Sequence, residues 1–448
     1  MAKIASFRGY RFNRSIVGDL NQVVTQPYDK IDDELRDEYL KRSPYNIVRI
    51  TKNPPTPTDT PNDNPYTRAS TFLNRWIEDG VLLREPGPSI YPYYQEFTVD
   101  GKQYIRKGLV VLVSLEEKIK VRAHEETLTG PKADRLKLMR ALEANEDFVF
   151  MLYDDPQHII NQWLGNELSN SQPVMEVKDD YGAIHRLYRL SRPSLITDIN
   201  EFLEDKELYI ADGHHRFETS LNFMRECRGR NWKPVPPESF NFRMMCLFNV
   251  YDPGLVILPT HRVLHSLPNF QPMRLLEDLK SEFSVEVYSQ PEGLYEALNQ
   301  AAQEGSISMG FIVRGSSSFY LITLKDSGLM ERIVPDKPSC WRNLDVTVLH
   351  SAILERFLGV DAQKLASESH IHYVREKEKA LSLVQQDPYQ CAFLLNPTRV
   401  TQVQEVAATG EKMPQKSTDF YPKLLTGLVL MKMNIDKSAG LAVWQAEE

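Results

Sequence analysis

The chain has 448 residues, two to three times the size of one compact domain, so it folds as two domains or as one large elaborated α/β unit. Hydrophobic residues at 42% and charged residues at 25% are ordinary globular values that exclude a disordered, fibrous or coiled-coil chain. The formal charge of −8 repels polyanions and argues against nucleic acid or an anionic membrane as partner. In chain order, Asp33 to Leu40 carries early acidic residues and apolar ones at helical spacing, which predicts a short helix. A Pro-, Thr-, Asn- and Asp-rich loop follows from Asn53 to Pro65, and Tyr66 to Leu83 resumes helical spacing with Phe72, Leu73, Trp76 and Ile77 on one face. Tyr91 to Val99 and Gln103 to Leu115 read as a hairpin across Asp100-Gly101, the dipeptide favoured in type I′ turns. A helix from Pro131 to Asn145 and a strand from Phe148 to Tyr153 come next.

The middle of the chain predicts a strand at Ile184 to Leu190, a helix at Ile199 to Glu204, and a strand from Glu207 that runs through Gly213 into a helix, His214 to Arg228. Beyond the extended Leu255 to Pro259, a soft boundary near Pro268 to Pro272 separates residues 1–268 from 269–448. The second part predicts helices at Met273 to Phe283, Glu292 to Glu304, Val346 to Leu358 and Tyr373 to Gln385. It also predicts a hairpin pairing Met309 to Val313 with Tyr320 to Leu324, a strand at Cys391 to Leu395, and a stretch from Met413 to Met433 that ends helically. The expected class is mixed α/β with several antiparallel pairs.

The densest polar cluster is Asp212-Gly213-His214-His215-Arg216, after a strand and at a helix start. Helix N-termini present unpaired N–H groups and a positive dipole end, and an adjacent Arg adds a bidentate donor, so the expected guest is phosphate or carboxylate. The plainer alternative is that Asp212 caps the helix and the histidines pack. A second cluster, Lys118 to Arg140, holds seven Lys and Arg against three Asp and Glu, a local charge of +4. Within it, His124, Glu125 and Thr127 precede Lys132 and Arg135, and Glu125 offers a general base towards a hydroxyl; a solvated helical face explains most such runs. His261-Arg262 after a strand and Lys416-Ser417-Thr418 in a polar turn offer weaker sets of phosphate donors. His370-x-His372 has metal-pair spacing but no third ligand, and no metal site is assigned.

The chain carries no Walker A loop, Rossmann glycine triplet, kinase catalytic-loop set or nucleophile elbow, so phosphate chemistry needs a less common scaffold. Cys227, Cys246, Cys340 and Cys391 form no C-x-x-C pair, which points to a reducing cytoplasm, and neither a signal peptide nor a membrane-spanning run is evident.

The ordered matches Gln26-Pro27-Tyr28-Asp29, Ser43-Pro44-Tyr45-Asn46 with Arg49, His124 to Leu136, Asp212 to Arg216, Leu258 to Arg262 and Met413 to Leu425 resemble a bacterial and archaeal family catalogued as domain of unknown function 1015. The Asp-Gly-His-His-Arg stretch also looks like the phosphate-binding turn of ParB/sulfiredoxin-like proteins, which include a free serine kinase. The resemblance implies a ParB/sulfiredoxin-like catalytic portion with a mixed sheet, plus a C-terminal α/β portion whose 413–425 segment returns to the site. It implies a free serine kinase making O-phosphoserine for cysteine synthesis, with Mg²⁺ and pyrophosphate, or else a nucleotide, as donor, and leaves a homodimer open. Asp212 to Arg216, His214 and His215 included, would cradle the donor with Lys132 and Arg135. Glu125 would be the base, with Asp29 and Asp212 as competitors. Tyr28, Asp29, Asn46 and Arg49 would face the serine, and Lys416, Ser417 and Thr418 would close over the site. The alternative is a ParB-like nucleotide-binding regulator, which the acidic charge and lack of a DNA-binding helix-turn-helix disfavour. A sulfiredoxin-like redox enzyme needs a cysteine in the phosphate turn, where none stands.

Overall fold

A computed structural model describes residues 3–116, 121–122 and 129–438, which form two compact units. One unit holds the described residues up to Val256 and takes in the C-terminal segment from Pro422; the other is Ile257–Tyr421. The chain is mixed α+β, as its patterning leads one to expect.

The first unit is built on a sheet with nine described strands. Its centre is the hairpin Tyr91–Val99 and Lys102–Ser114, closed by Asp100 at φ 49° and Gly101 at φ 74°, the pair of positive φ angles that a type I′ turn needs. Phe242–Asn249 lies beside the 102–114 strand, followed in order by Val149–Tyr153, Leu208–Asp212 and Val121–Arg122. Ile184–Leu187 and Met175–Lys178 extend the other side, and Ile4–Ala5 adds to the 102–114 strand. Two pairings are parallel, 242–249 with 149–153 and 208–212 with 121–122, so the sheet is mixed. Phe242–Asn249 is buried at every residue. Covered on both faces, it has no polar-apolar alternation, which is why its sequence does not announce a strand. The helices Thr129–Leu142 and His214–Gly229 pack on each other.

Two expected helices end differently. Tyr66 to Leu83 is the helix Pro65–Glu78 and then a strand, Leu82–Arg84, separated at Gly80, which sits at φ 70°. Met413 to Met433 does not end helically: it contains the strands Asp419–Tyr421 and Met431–Lys432, and Thr426 and Leu430 bridge to Thr25 and Tyr10. The run Leu424 to Met431 is buried throughout. A segment buried at every residue leaves no face for water, and extended chain with its backbone bridged to neighbouring segments satisfies it better than a surface helix.

The second unit carries a six-stranded antiparallel sheet in the order Phe283–Tyr288, Phe319–Leu324, Ser308–Val313, Tyr389–Leu395, His261–His265, Ile371–Val374. The helices Pro291–Gln303 and Lys377–Val384 bury Leu294, Leu298, Ala380 and Val384 against Val263 and Leu394 of this sheet. No helix among the described residues is long and apolar enough to cross a membrane.

Candidate phosphate site

The strand Leu208–Asp212 passes through Gly213 into the sixteen-residue helix His214–Gly229. Gly213 sits at φ +94°, and a Cβ there would stand 2.9 Å from Nε and 3.0 Å from Cζ of Arg216. Glycine therefore serves twice, by tolerating the left-handed backbone and by admitting a guanidinium against the turn. The N-cap position is Gly213 itself, which has no side chain to cap the helix. Asp212 is turned away from that role: its Oδ2 accepts from Lys423 Nζ at 2.9 Å and its Oδ1 from Arg216 at 3.4 Å. The first amides of a helix and the positive end of its dipole favour an anion.

Arg216 is 6% exposed and donates to the Phe148 carbonyl at 2.5 Å, with Asp147 Oδ2 at 3.8 Å. Burial opposes its charge, but Asp147, Asp212 and Asp29 outweigh that and hold the guanidinium above its ordinary value. Burial would likewise raise Asp212, yet Lys423 and Arg216 hold its carboxyl well below the usual carboxylate range. Burial pushes His215 below its ordinary value against the opposing pull of Glu218 and Asp29, so its imidazole is neutral at neutral pH.

Behind Arg216 lies a small cavity of about 10 Å³ lined by Arg135, Met139, Glu146, Asp147, Arg216, Thr219 and Arg243. Arg243 is ion-paired with Asp147. Arg135 bonds Asp134 and donates to the Thr51 carbonyl at 2.8 Å, with its guanidinium 4.2 Å from the Tyr28 ring centroid. Lys132 pairs with Glu218 at 2.9 Å. Asp29 acts on Tyr28, His215 and Arg216 through its charge, and Lys30 acts on Asp212.

Residues 4–347 match the family described as Protein of unknown function (DUF1015). This chain belongs to that family. No curated protein matches it. Among solved structures, a conserved hypothetical protein from Pyrococcus furiosus is 13% identical, covering 70% of this chain and 92% of its own, with a TM-score of 0.33. A free serine kinase in complex with AMP is 12% identical over 69% and 86%, with a TM-score of 0.34. SbnI with C-terminal truncation from Staphylococcus aureus is 10% identical over 75% and 94%, also at 0.34.

Of the residues that the sequence singles out, the first unit brings together Tyr28, Asp29, Lys132, Arg135, Asp212, Gly213, His215 and Arg216, with His214 opening the helix. Asn46 is fully buried; it donates to the Gln22 carbonyl at 2.7 Å and accepts from Val48 N at 3.0 Å. Arg49 donates to the Leu40 carbonyl at 3.0 Å and lies 5.8 Å from the Phe72 ring centroid. His261, Arg262, Lys416, Ser417 and Thr418 belong to the second unit. There, buried Arg262 donates to the Lys416 carbonyl at 3.0 Å, and Thr398 donates to the Ser417 carbonyl at 2.7 Å, fastening that turn. His261 accepts from Leu395 N at 3.2 Å, and burial pushes it down to about 3. His124, Glu125 and Thr127 lie outside the described residues.

Lys423, Glu146, Asp147 and Arg243 complete the cluster without being singled out by sequence. Lys423 sits 211 positions from the Asp212 it pairs with, and Arg243 lies in the strand that lacks a pattern, so neither has a local signal. Glu146-Asp147 directly before the apolar Phe148 to Tyr153 was the available clue: two carboxylates at the mouth of a buried strand.

Proposed function

We propose that this protein is a cytoplasmic phosphotransferase that phosphorylates the hydroxyl of free L-serine to O-phosphoserine, with pyrophosphate or a nucleotide as donor. The observation that carries the reading is the buried, charge-held Arg216 seated against Gly213 at a helix start. Phosphoryl transfer asks of a protein mainly positioning and fixed positive charge. The helix amides, Arg216 and Lys132 hold the donor phosphates, and Arg135 steadies Tyr28 beside them.

The serine oxygen attacks the terminal phosphorus, the bond from that phosphorus to the leaving phosphate or nucleotide breaks, and the hydroxyl proton passes to a base. Asp212, kept ionised by Lys423 and Arg216, is a poor proton acceptor and serves as their charge partner. Neutral His215 is a competent acceptor, alongside Glu125 and Asp29. Mg²⁺ enters with the phosphate donor as part of the substrate. Serine as acceptor follows from the family resemblance of the Asp212 to Arg216 stretch. The free state of all four cysteines supports a reducing compartment.

The test is incubation of the purified protein with L-serine, Mg²⁺ and pyrophosphate, ADP or ATP in turn, followed by ³¹P NMR. The O-phosphoserine resonance is expected with one donor; its absence with all three rejects the reading.

A further inference from the structure

Three polar side chains stand in one row across the large sheet of the first unit, and the transfer step uses none of them. Gln95 lies opposite Arg106 on one neighbouring strand and opposite His185 on the other, so all three share a face, and all three are completely buried. Burying polar groups is unfavourable unless each finds a partner, and here the partners lie on two segments that flank the phosphate turn. Gln95 Oε1 accepts from Arg106 Nε at 2.9 Å, and its Nε2 donates to the Lys423 carbonyl at 3.0 Å, with His185 Nδ1 at 3.3 Å. Arg106 also donates to the Pro422 carbonyl. Tyr93 Oη accepts from Leu425 N at 3.4 Å and lies 2.6 Å from His185 Nδ1. Three side chains of the central hairpin thus hold the backbone of residues 422–425, the segment from which Lys423 reaches Asp212. At the far end of the row, Asp179 Oδ2 lies 3.1 Å from His185 Nε2 and accepts from Gln26 Nε2 at 3.5 Å, two residues before Tyr28. Thr25 and Thr426 exchange backbone bonds at 3.1 and 2.9 Å and so tie the two segments together.

The directions of these bonds are fixed from both ends. A guanidinium only donates, so Gln95 presents its oxygen to Arg106 and its amide hydrogens to His185. His185 Nδ1 therefore accepts. A carboxylate only accepts, so the ring proton lies on Nε2, towards Asp179. Both ends demand the same neutral tautomer. Tyr93 then donates its hydroxyl proton to Nδ1, which leaves its oxygen to accept from Leu425 N.

We propose that Asp179, His185, Tyr93 and Gln95 are positioning residues that act in series: the carboxylate selects the histidine tautomer, the tautomer orients the Tyr93 hydroxyl and the Gln95 amide, and these hold the 422–425 backbone so that Lys423 stays on Asp212. Lys423 and Arg216 share that carboxylate. A Lys423 that drifts away leaves Asp212 to draw on Arg216, the group that faces the phosphate-like anion. The inference rests on the phosphate-site reading above.

Asp179→Asn tests the series from its remote end. Asp179 Oδ1 accepts from the amides of Tyr181 and Ala183, both at 2.9 Å, so an asparagine keeps its oxygen there and turns its NH₂ towards His185. The ring proton is then forced onto Nδ1, against the Gln95 amide. Sulfate is the probe, because it is doubly charged throughout the neutral pH range. Calorimetric titration of the full chain is expected to show binding about three- to tenfold weaker in Asp179→Asn and in the milder Tyr93→Phe, and about tenfold weaker in Lys423→Met, which removes the ammonium itself. In the Lys423→Met background neither of the first two changes should weaken binding further, because they act through Lys423, whereas a general loosening of the fold would weaken both backgrounds alike. Wild-type affinity in a folded Asp179→Asn or Tyr93→Phe overturns the inference, and so does an equal loss in both backgrounds. Neutron diffraction from crystals of the wild type places the His185 ring proton without any variant: it is expected on Nε2 alone, and a proton on Nδ1 overturns the inference. If sulfate does not bind the wild type, the phosphate-site reading falls and the inference with it; if sulfate binds wild type and variants equally, the inference alone falls.

Discussion

Replacing Gly213 by alanine separates the two demands that the phosphate turn places on this position. The first is backbone: at φ +94° a residue with a Cβ is strained by about 1–2 kcal/mol. The second is room, since the added methyl would stand 2.9 Å from Arg216 Nε, closer than packed atoms tolerate. The guanidinium is the far end of a flexible side chain and can swing aside, so the cost is what it leaves: its bonds to the Phe148 carbonyl and Asp212. Hydrogen bonds involving a charged group contribute about 1.5–3 kcal/mol, which brings the expected loss for Gly213→Ala to about 3–4 kcal/mol. Gly101→Ala is the control, because Gly101 has φ +74° in the hairpin turn and nothing within 4 Å of its added Cβ. It should lose only the backbone share, about 1 kcal/mol. Urea denaturation followed by tryptophan fluorescence reads the difference, and sulfate titration reads the site: affinity should fall at least about tenfold in Gly213→Ala, equivalent to about 1.4 kcal/mol, and not at all in Gly101→Ala. Equal stability losses with unchanged sulfate affinity would refute the placement of Arg216 against this turn.

Lys423→Met removes one of the two cations on Asp212 and is expected to cost about 2 kcal/mol, below the full value of a broken buried pair because Arg216 remains. Because the folded Asp212 carboxyl lies below its unfolded value, that contribution is complete above about pH 4 and fades as the pH falls further. Urea midpoints of variant and wild type should therefore converge in acid, and a gap independent of pH contradicts the pairing. Asn46→Ala strips the bonds that pin residues 22–24 to 48 and should cost about 2–3 kcal/mol while leaving sulfate affinity unchanged; weaker sulfate binding at full stability would give Asn46 a binding role instead. Glu125→Gln should abolish turnover in the ³¹P assay without weakening the donor complex, whereas an active variant shifts the base to His215 or Asp29.

What the sequence makes legible here is what has a local physical cause. Asp100-Gly101 carries the positive φ angles of its turn in its own residue types, and the strand-to-helix passage at Asp212 to Arg216 is visible because Gly213 interrupts a buried strand just where helical spacing begins. The strand Phe242–Asn249 and the thread Leu424 to Met431 are both buried at every residue, and periodicity cannot tell extended from helical chain when no face meets water. The polar cluster suffers from distance along the chain: Arg243 meets Asp147 across 96 positions, and Lys423 meets Asp212 only because the segment after Pro422 rejoins the first unit. The plainer alternative for Asp212, a helix cap, shows the same limit from the other side. Its place before a helix suggests a cap, but two cations from elsewhere in the fold claim its carboxylate instead.

The central claim is that the turn Asp212 to Arg216 binds the donor phosphate, and the most direct measurement is a crystal structure of the protein soaked with magnesium pyrophosphate. The account predicts a phosphate group within hydrogen-bond distance of the first amides of the helix His214–Gly229 and of the Arg216 guanidinium. Pyrophosphate bound elsewhere on the chain, with this helix start occupied by water alone, would contradict it.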